Sequence, residues 1–161
     1  MIKLIVIDVD GTLTDGKIYM GSDGEVMKVF NIKDGCGIHD ILIPAGITPI
    51  IMTGRSSKIL EKRCNELGIT EIYQGVSDKP RKLAEVVNCA GCDYSNVAYI
   101  GDDINDIGCM QLIKEAGGDV GCPADAVKAV KAIANFISLR KGGDGAVREF
   151  IEWLVCNEDE D

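Results

Sequence analysis

The sequence predicts an α/β domain, an open, doubly wound parallel sheet with a β-hairpin inserted early in the chain. Three observations carry that expectation. Short β-branched, apolar runs recur along the chain and alternate with segments of helical length, a pattern that requires parallel strands joined by right-handed crossovers. Three of the runs end in polar, glycine-containing turns, Asp8-Val9-Asp10-Gly11, Thr53-Gly54-Arg55 and Gly101-Asp102-Asp103-Ile104-Asn105-Asp106. In a parallel sheet such turns share one edge, where ligands bind. Between Thr14 and Asp34, finally, Ile18-Tyr19-Met20 and Val26-Met27-Lys28-Val29-Phe30 bracket a Gly21-Ser22-Asp23-Gly24 turn, the signature of a hairpin.

Taken in order, Ile2 to Val9 is apolar apart from Lys3 and Asp8 and predicts a central strand covered on both faces. The hairpin follows, and its apolar residues do not alternate cleanly with polar ones. Tyr19, Met20, Val26, Met27, Val29 and Phe30 lack an obvious cover within the chain, so a partner is expected on them. Gly37 to Ala45 predicts a short helix, Ile47 to Met52 a buried strand, and Ser56 to Leu67 a helix with Ser56 as N-cap and Gly68 as its stop. Ile69 to Gln74 is the next strand. Lys79-Pro80 opens a helix to about Cys89, where Pro80 suits the first turn. Then come a strand at Val97 to Ile100, a helix at Ile104 to Ala116, a strand at Gly118 to Val120, a helix at Ala124 to Ala134, a strand at Phe136-Ile137 and a closing helix at Ala146 to Val155.

Composition bounds the function. The 161 residues make one domain, 1–161, with Glu158-Asp159-Glu160-Asp161 as a frayed acidic tail. At this length a chain buries about 70% of its unfolded surface. No apolar run approaches the ~18 residues of a membrane span, and no signal-peptide pattern opens the chain, so a cytoplasmic protein without a membrane partner is expected. Net charge is −9, with 26 acidic against 17 basic residues, which argues against a nucleic-acid backbone as partner. The seven cysteines are odd in number and lack framework spacing. Cys89 and Cys92 form the one close pair, with His39 as the single histidine, too little for a zinc site.

The turns carry the chemistry. Asp8 and Asp10, one residue apart on an extended backbone, point the same way, and two like charges held close need a cation or a proton; Asp-Gly-Thr would equally cap a turn. Consecutive aspartates beside a buried strand, as at Asp102-Asp103, are costly unless they bind a cation or cap the next helix. Thr53-Gly54 is a turn, or a turn that also binds. Lys79 at a helix start opposes the helix dipole and so points to a nearby anion. Together these residues describe a Mg²⁺ cage of oxygen ligands beside a phosphate-sized pocket.

In this order the motifs resemble the four motifs of the haloacid dehalogenase superfamily of phosphatases. Phe30-Asn31-Ile32-Lys33-Asp34-Gly35, Thr53-Gly54-Arg55, Arg63-Cys64, Tyr73-Gln74-Gly75, Val97-Ala98-Tyr99-Ile100 and Gly142-Gly143-Asp144-Gly145-Ala146-Val147-Arg148-Glu149 sharpen the resemblance to the 3-deoxy-D-manno-octulosonate 8-phosphate phosphatase family. It covers all but the acidic tail. The resemblance implies a Rossmann-like domain without a cap, four subunits meeting at their hairpins, and a place in lipopolysaccharide biosynthesis. It implies Asp8 as nucleophile, Asp10 as general acid and base, and Mg²⁺ held by Asp8, the Asp10 backbone and Asp102. Thr53, Gly54 and Lys79 would bind phosphoryl oxygens, with Asp103 and Asp106 orienting the lysine and the metal waters.

Asn31, Lys33, Asp34, Gly35, Arg55 and Arg63 sit where the family contacts its sugar acid, and two arginines suit a carboxylate. Arg63 is alternatively a surface residue paired with Glu61 or Glu66. His39 departs from the family, which usually has arginine there. Gly142 to Gly145 reads as a linker, although the family places this segment over a neighbour's active site. Two other functions fit the same resemblance, a phosphatase for nonulosonate 9-phosphates, whose relatives tend to carry glutamate at Arg55, and a non-catalytic tetramerisation domain attached to a sugar-acid cytidylyltransferase. The intact Asp8, Asp10, Lys79 and Asp102 argue against the latter. A receiver-type phosphoacceptor would lack the Asp8/Asp10 pair.

Overall fold

Leu4–Ile7 forms β1, with all four residues buried, and the rest of the fold is laid out from it. The computed structural model of the chain describes residues 1–158. The main sheet has six strands in the order β5-β4-β1-β6-β7-β8, where β4 is Thr48–Met52, β5 Glu71–Tyr73, β6 Val97–Ile100, β7 Asp119–Cys122 and β8 Phe136–Ile137. Every pairing in it is parallel. The chain builds outward from β1 through β4 to β5, then returns to β6 on the other side. That reversal splits the connections beside β1 and opens a crevice at its carboxyl end.

The period-2 alternation of β1 assigns the two faces. Ile5 and Ile7 join one core cluster with Ile38, Leu42, Leu60, Cys64, Phe150 and Ile151, contributed by the first, second and last helical segments, α1 (Ile32–Cys36) with the π-helical turn Gly37–Leu42 that continues it, α2 (Lys58–Glu66) and α6 (Ala146–Glu158). Leu4 and Val6 join the other with Leu83, Val87, Met110, Ile113 and Val130, from α3 (Lys79–Ala90), α4 (Ile107–Glu115) and α5 (Lys128–Ile133). A strand buried on both faces has no polar side to display, which is why these strands are continuous apolar runs.

Several boundaries differ from expectation. The first helix begins at Ile32, not Gly37, because the Asn31 side chain accepts the Lys33 N–H and caps it. Ser57, not Ser56, is the N-cap of α2, while Gly68 follows that helix at φ +75° as expected of a left-handed stop. Helix α5 starts at Lys128 instead of Ala124, since the Val127 N–H is taken by the Asp102 carbonyl at 3.0 Å. Glu158 is the last residue of α6 instead of the first of a tail; residues 159–161 lie outside the described residues.

The hairpin is β2 (Tyr19–Gly21) and β3 (Gly24–Met27), antiparallel and separate from the main sheet. Gly24, at φ +119°, makes its tight turn possible. Met20, Val26, Met27 and Val29 are exposed, Val26 by 64%. Two residues depart from the expected uncovered stripe: Tyr19 is half-buried, and Phe30 packs on the first core cluster with the Arg63 guanidinium 5.9 Å from its ring centre.

Candidate active site

Immediately beyond β1 the chain makes a kinked turn, Val9–Leu13, whose backbone is not helical at Asp10 or at Gly11, the latter at φ +94°. Two constraints require glycine there. The conformation is one that side chains rarely adopt, and a Cβ on Gly11 would lie 2.0 Å from Asp102 Oδ2. The Asp-Gly-Thr turn is therefore shaped to admit the second aspartate motif. Thr12, wholly buried, donates its hydroxyl to Asp102 Oδ1 at 3.2 Å. Gly101 has the matching role, since a Cβ there would lie 2.4 Å from Asp106 Cγ, and its absence lets Asp106 fold back over the turn.

Asp8, Lys79, Asp106 and Tyr99 form a buried chain of charge. Lys79 Nζ donates to Asp8 Oδ1 and to Asp106 Oδ1, both at 2.7 Å. Tyr99, at the centre of β6, donates its hydroxyl to the same Asp106 oxygen at 2.7 Å. Asp106 Oδ2 accepts the backbone N–H groups of Asp102 and Asp103 at 3.0 and 3.2 Å. Four donors saturate a carboxylate, so Asp106 is spent on holding the lysine and the turn. Burial and the negative Asp106 raise Asp8 well above the usual carboxylate range. The same two causes lift Asp102 to about 6. Burial pulls Lys79 down, but Asp8 and Asp106 outweigh it and the ammonium is held above its ordinary value.

Carboxylate oxygens of Asp8, Asp102 and Asp106 lie within 4.8 Å of one another. Three carboxylates against one lysine leave two negative charges in a desolvated place, the balance a divalent cation would supply. With Asp106 saturated by four donors, Asp8 and Asp102 are the carboxylates of the cluster that would hold it. The donor set is all oxygen, which suits Mg²⁺.

Asp10 stands apart from that cluster. Its Oδ1 accepts from Lys28 Nζ at 2.7 Å, and Arg55 Nε lies 4.0 Å from its Oδ2. Thr53, buried at the end of β4, is fixed by its own N–H on the Tyr73 carbonyl and its carbonyl on the Val76 N–H, both 3.0 Å. Gly54 is exposed in the following turn.

The other expected site residues go elsewhere in the chain. Asp34, expected to touch substrate, is buried and accepts the Gly145 and Arg148 N–H groups at 3.3 and 2.9 Å, capping α6 from a distance. Asn31 is used as the cap of α1. Gly35 makes room for Arg63, whose Nη2 would lie 2.5 Å from a Cβ. Arg63 meets Glu66 at 3.4 Å and, with Lys33, Gly35 and His39, lines a separate groove of about 540 Å³ that does not include Asp8 or Asp10. His39 pairs with Asp40 at 2.7 Å, exposed. Asp103 caps the short helix after it through Ile104 N–H. Gly142-Gly143, expected over a neighbour, is seated on its own chain's turn: Gly143 N–H donates to the Thr12 carbonyl at 3.1 Å, and a Cβ on Gly142 would lie 1.9 Å from the Gly11 carbonyl.

Sequence reasoning missed Thr12, Tyr99, Glu25 and Lys28. Tyr99 left a signal, a hydroxyl in the middle of a run buried on both faces, which needs a partner. Lys28 left a weaker one, a lone cation among apolar hairpin residues.

A doubly wound parallel sheet that gathers a buried aspartate, a buried lysine and an acidic turn at the ends of its central strands defines a phosphatase of the haloacid dehalogenase superfamily. The chain belongs to the 3-deoxy-D-manno-octulosonate 8-phosphate phosphatase family. It is 43% identical to the Yersinia pestis enzyme of that name over 98% of this chain and 82% of the relative. The crystal structure of that phosphatase superposes with a TM-score of 0.92, covering 98% of this chain and 83% of the other. The Moraxella catarrhalis enzyme, solved with a magnesium ion, a phosphate ion and a KDO molecule, is 38% identical with a TM-score of 0.89 over 97% of this chain and 86% of that one. No family profile matches the chain.

Proposed function

We propose that the chain is a Mg²⁺-dependent phosphatase that hydrolyses 3-deoxy-D-manno-octulosonate 8-phosphate through an aspartyl-phosphate. The observation that carries this reading is Asp8, buried at the end of β1, bonded to Lys79 and clustered with Asp102 and Asp106. Asp8 attacks phosphorus, which divides a very slow hydrolysis into two steps. Asp10 protonates the leaving alcohol oxygen and then takes the proton of the attacking water. Thr53, Gly54 and Lys79 bind the phosphoryl oxygens, and Asp106 with Tyr99 keeps the ammonium aimed at them. Asp8, Asp102 and the Asp10 carbonyl would hold Mg²⁺, which supplies charge neutralisation between the nucleophile and the phosphoryl group.

Arg55, 4.0 Å from Asp10 and half exposed, is assigned to a substrate carboxylate; octulosonates and nonulosonates both carry one, and the octulosonate is preferred because the relatives of this chain are octulosonate 8-phosphate phosphatases. Arg63 and Lys33 line the 540 Å³ groove, which does not include Asp8 or Asp10, so in this reading they serve a neighbour's site. The exposed hairpin apolar residues support a homotetramer assembled on β2 and β3. We place the enzyme in the cytoplasm, supplying the sugar acid for lipopolysaccharide; among the described residues no helix is long and apolar enough to cross a membrane. A phosphate-release screen over sugar-acid phosphates tests the reading, with turnover expected on the octulosonate ester in Mg²⁺ and none in chelator. Turnover that prefers neutral sugar phosphates would overturn the substrate assignment.

A further inference from the structure

A lysine on an exposed two-stranded hairpin is ordinarily solvated. Lys28 is not: its side chain is only 4% exposed, with Nζ 2.7 Å from Asp10 Oδ1 and 3.0 Å from Glu25 Oε1. Burying an ammonium is costly unless it is paired and bonded, and here the two carboxylates that pair with it come from different places. Glu25 belongs to β3 itself, whereas Asp10 belongs to the turn after β1. Arg55, in the turn after β4, completes the group, with Nη2 3.7 Å from Glu25 Oε1. The hairpin is not hydrogen-bonded into the main sheet, so this ion network ties it to the catalytic edge.

From the Lys28 Nζ set between Asp10 and Glu25, we propose that Lys28 is a positioning residue for Asp10. It fixes one carboxylate oxygen and so leaves the other to face the oxygen of the departing alcohol, while Glu25 holds the ammonium in place. The proposal rests on the phosphatase reading of Asp8 and Asp10 but not on which sugar is the substrate. A proton donor contributes only when it lies within hydrogen-bond reach of the leaving oxygen. The effect of losing its position therefore grows with the basicity of the leaving group and nearly vanishes for one that departs without a proton.

The experiment compares kcat/KM of wild type, Lys28→Met and Lys28→Arg on p-nitrophenyl phosphate and on phenyl phosphate, whose leaving phenolate is about as basic as a tyrosine side chain, pKa ~10. In kcat/KM the release of the first alcohol is read without the later hydrolysis of the aspartyl-phosphate. The expected result is a loss at least about 10-fold larger on phenyl phosphate for Lys28→Met, recovered in large part by Lys28→Arg. In an Asp10→Asn background Lys28→Met should add little, because the group it positions is gone. Equal losses on both esters would overturn the proposal and make Lys28 a fold residue. Should Lys28→Met not fold, Lys28→Gln carries the same comparison. Wild-type turnover of the aryl esters without turnover of the octulosonate ester would overturn the substrate reading and leave this one standing.

Discussion

The carboxyl edge of the main sheet and the β2–β3 hairpin present opposite solutions to placing polar and apolar groups. At the edge, Asp8, Lys79 and Asp106 are buried and bonded to one another, with Asp106 alone accepting four donors. On the hairpin, Met20, Val26, Met27 and Val29 are left in solvent. The edge is completed by the chain itself, since β1, β4 and β6 are fixed in register by their parallel pairing and bring the turns together. The hairpin is two strands with no core of its own, a unit of marginal stability, and in the isolated subunit it is joined to the edge through Lys28, Asp10, Glu25 and Arg55. Buried charge is held rigidly on the edge; apolar surface is left open on the hairpin.

The sharpest way to break this contrast is at Asp8. Asp8→Asn is nearly isosteric and should leave the fold intact while kcat falls more than about 100-fold, about 2.7 kcal/mol, as read from phosphate release. Chelation should abolish turnover in the wild type. Retained activity in either case would mean that the edge cluster is structural.

Packing offers the next largest difference. Leu42→Ala, at a residue with no exposure, should cost about 2–5 kcal/mol in denaturant unfolding. Val26→Ala on the hairpin should change subunit stability by no more than about 0.5 kcal/mol when measured on dissociated protein. A hairpin substitution as costly as the core one would mean that the hairpin packs within its own chain. Gly11→Ala lies between these, because the left-handed backbone costs about 1–2 kcal/mol. Its larger effect should be on the site, as the new methyl displaces Asp102; the expected readout is weaker Mg²⁺ affinity, measured by the metal concentration that half-restores activity.

Arg55 and Arg63 sharpen the contrast further. Arg55→Ala should raise KM for the sugar-acid ester and cost about 1.5–3 kcal/mol of discrimination against a neutral sugar phosphate. Arg63→Ala should do so only in the assembled protein, since its groove is apart from Asp8 within one subunit. Equal losses on both substrates would assign the arginines to the phosphate or the fold. The smallest energetic effect on the subunit, with the clearest readout, is Val26→Asp together with Met27→Asp. Sedimentation should then give a monomer of near-normal thermal stability where the wild type gives a tetramer; a wild-type monomer at micromolar concentration would remove the interface reading altogether.

The sequence alone determined the sheet and the membership of its edge. Strand runs buried on both faces must be continuously apolar, as at Leu4 to Ile7 and Pro49 to Met52, and the parallel topology that follows sends Asp8, Thr53 and Asp102 to one end whatever the loops do. It also determined the stop of α2, because Gly68 occupies a left-handed position that other residues avoid. Only the tertiary structure decided which polar groups are spent on holding the fold. Asp34 lies in a motif resembling a substrate loop, yet it caps α6, more than a hundred positions away in the chain. Lys28 looks like a solvated hairpin residue, yet it is buried on Asp10. The reason is that periodicity reports which face of an element is covered by apolar neighbours, whereas a hydrogen bond depends on distances of a few tenths of an ångström between residues far apart in sequence, and these exist only once the elements are packed.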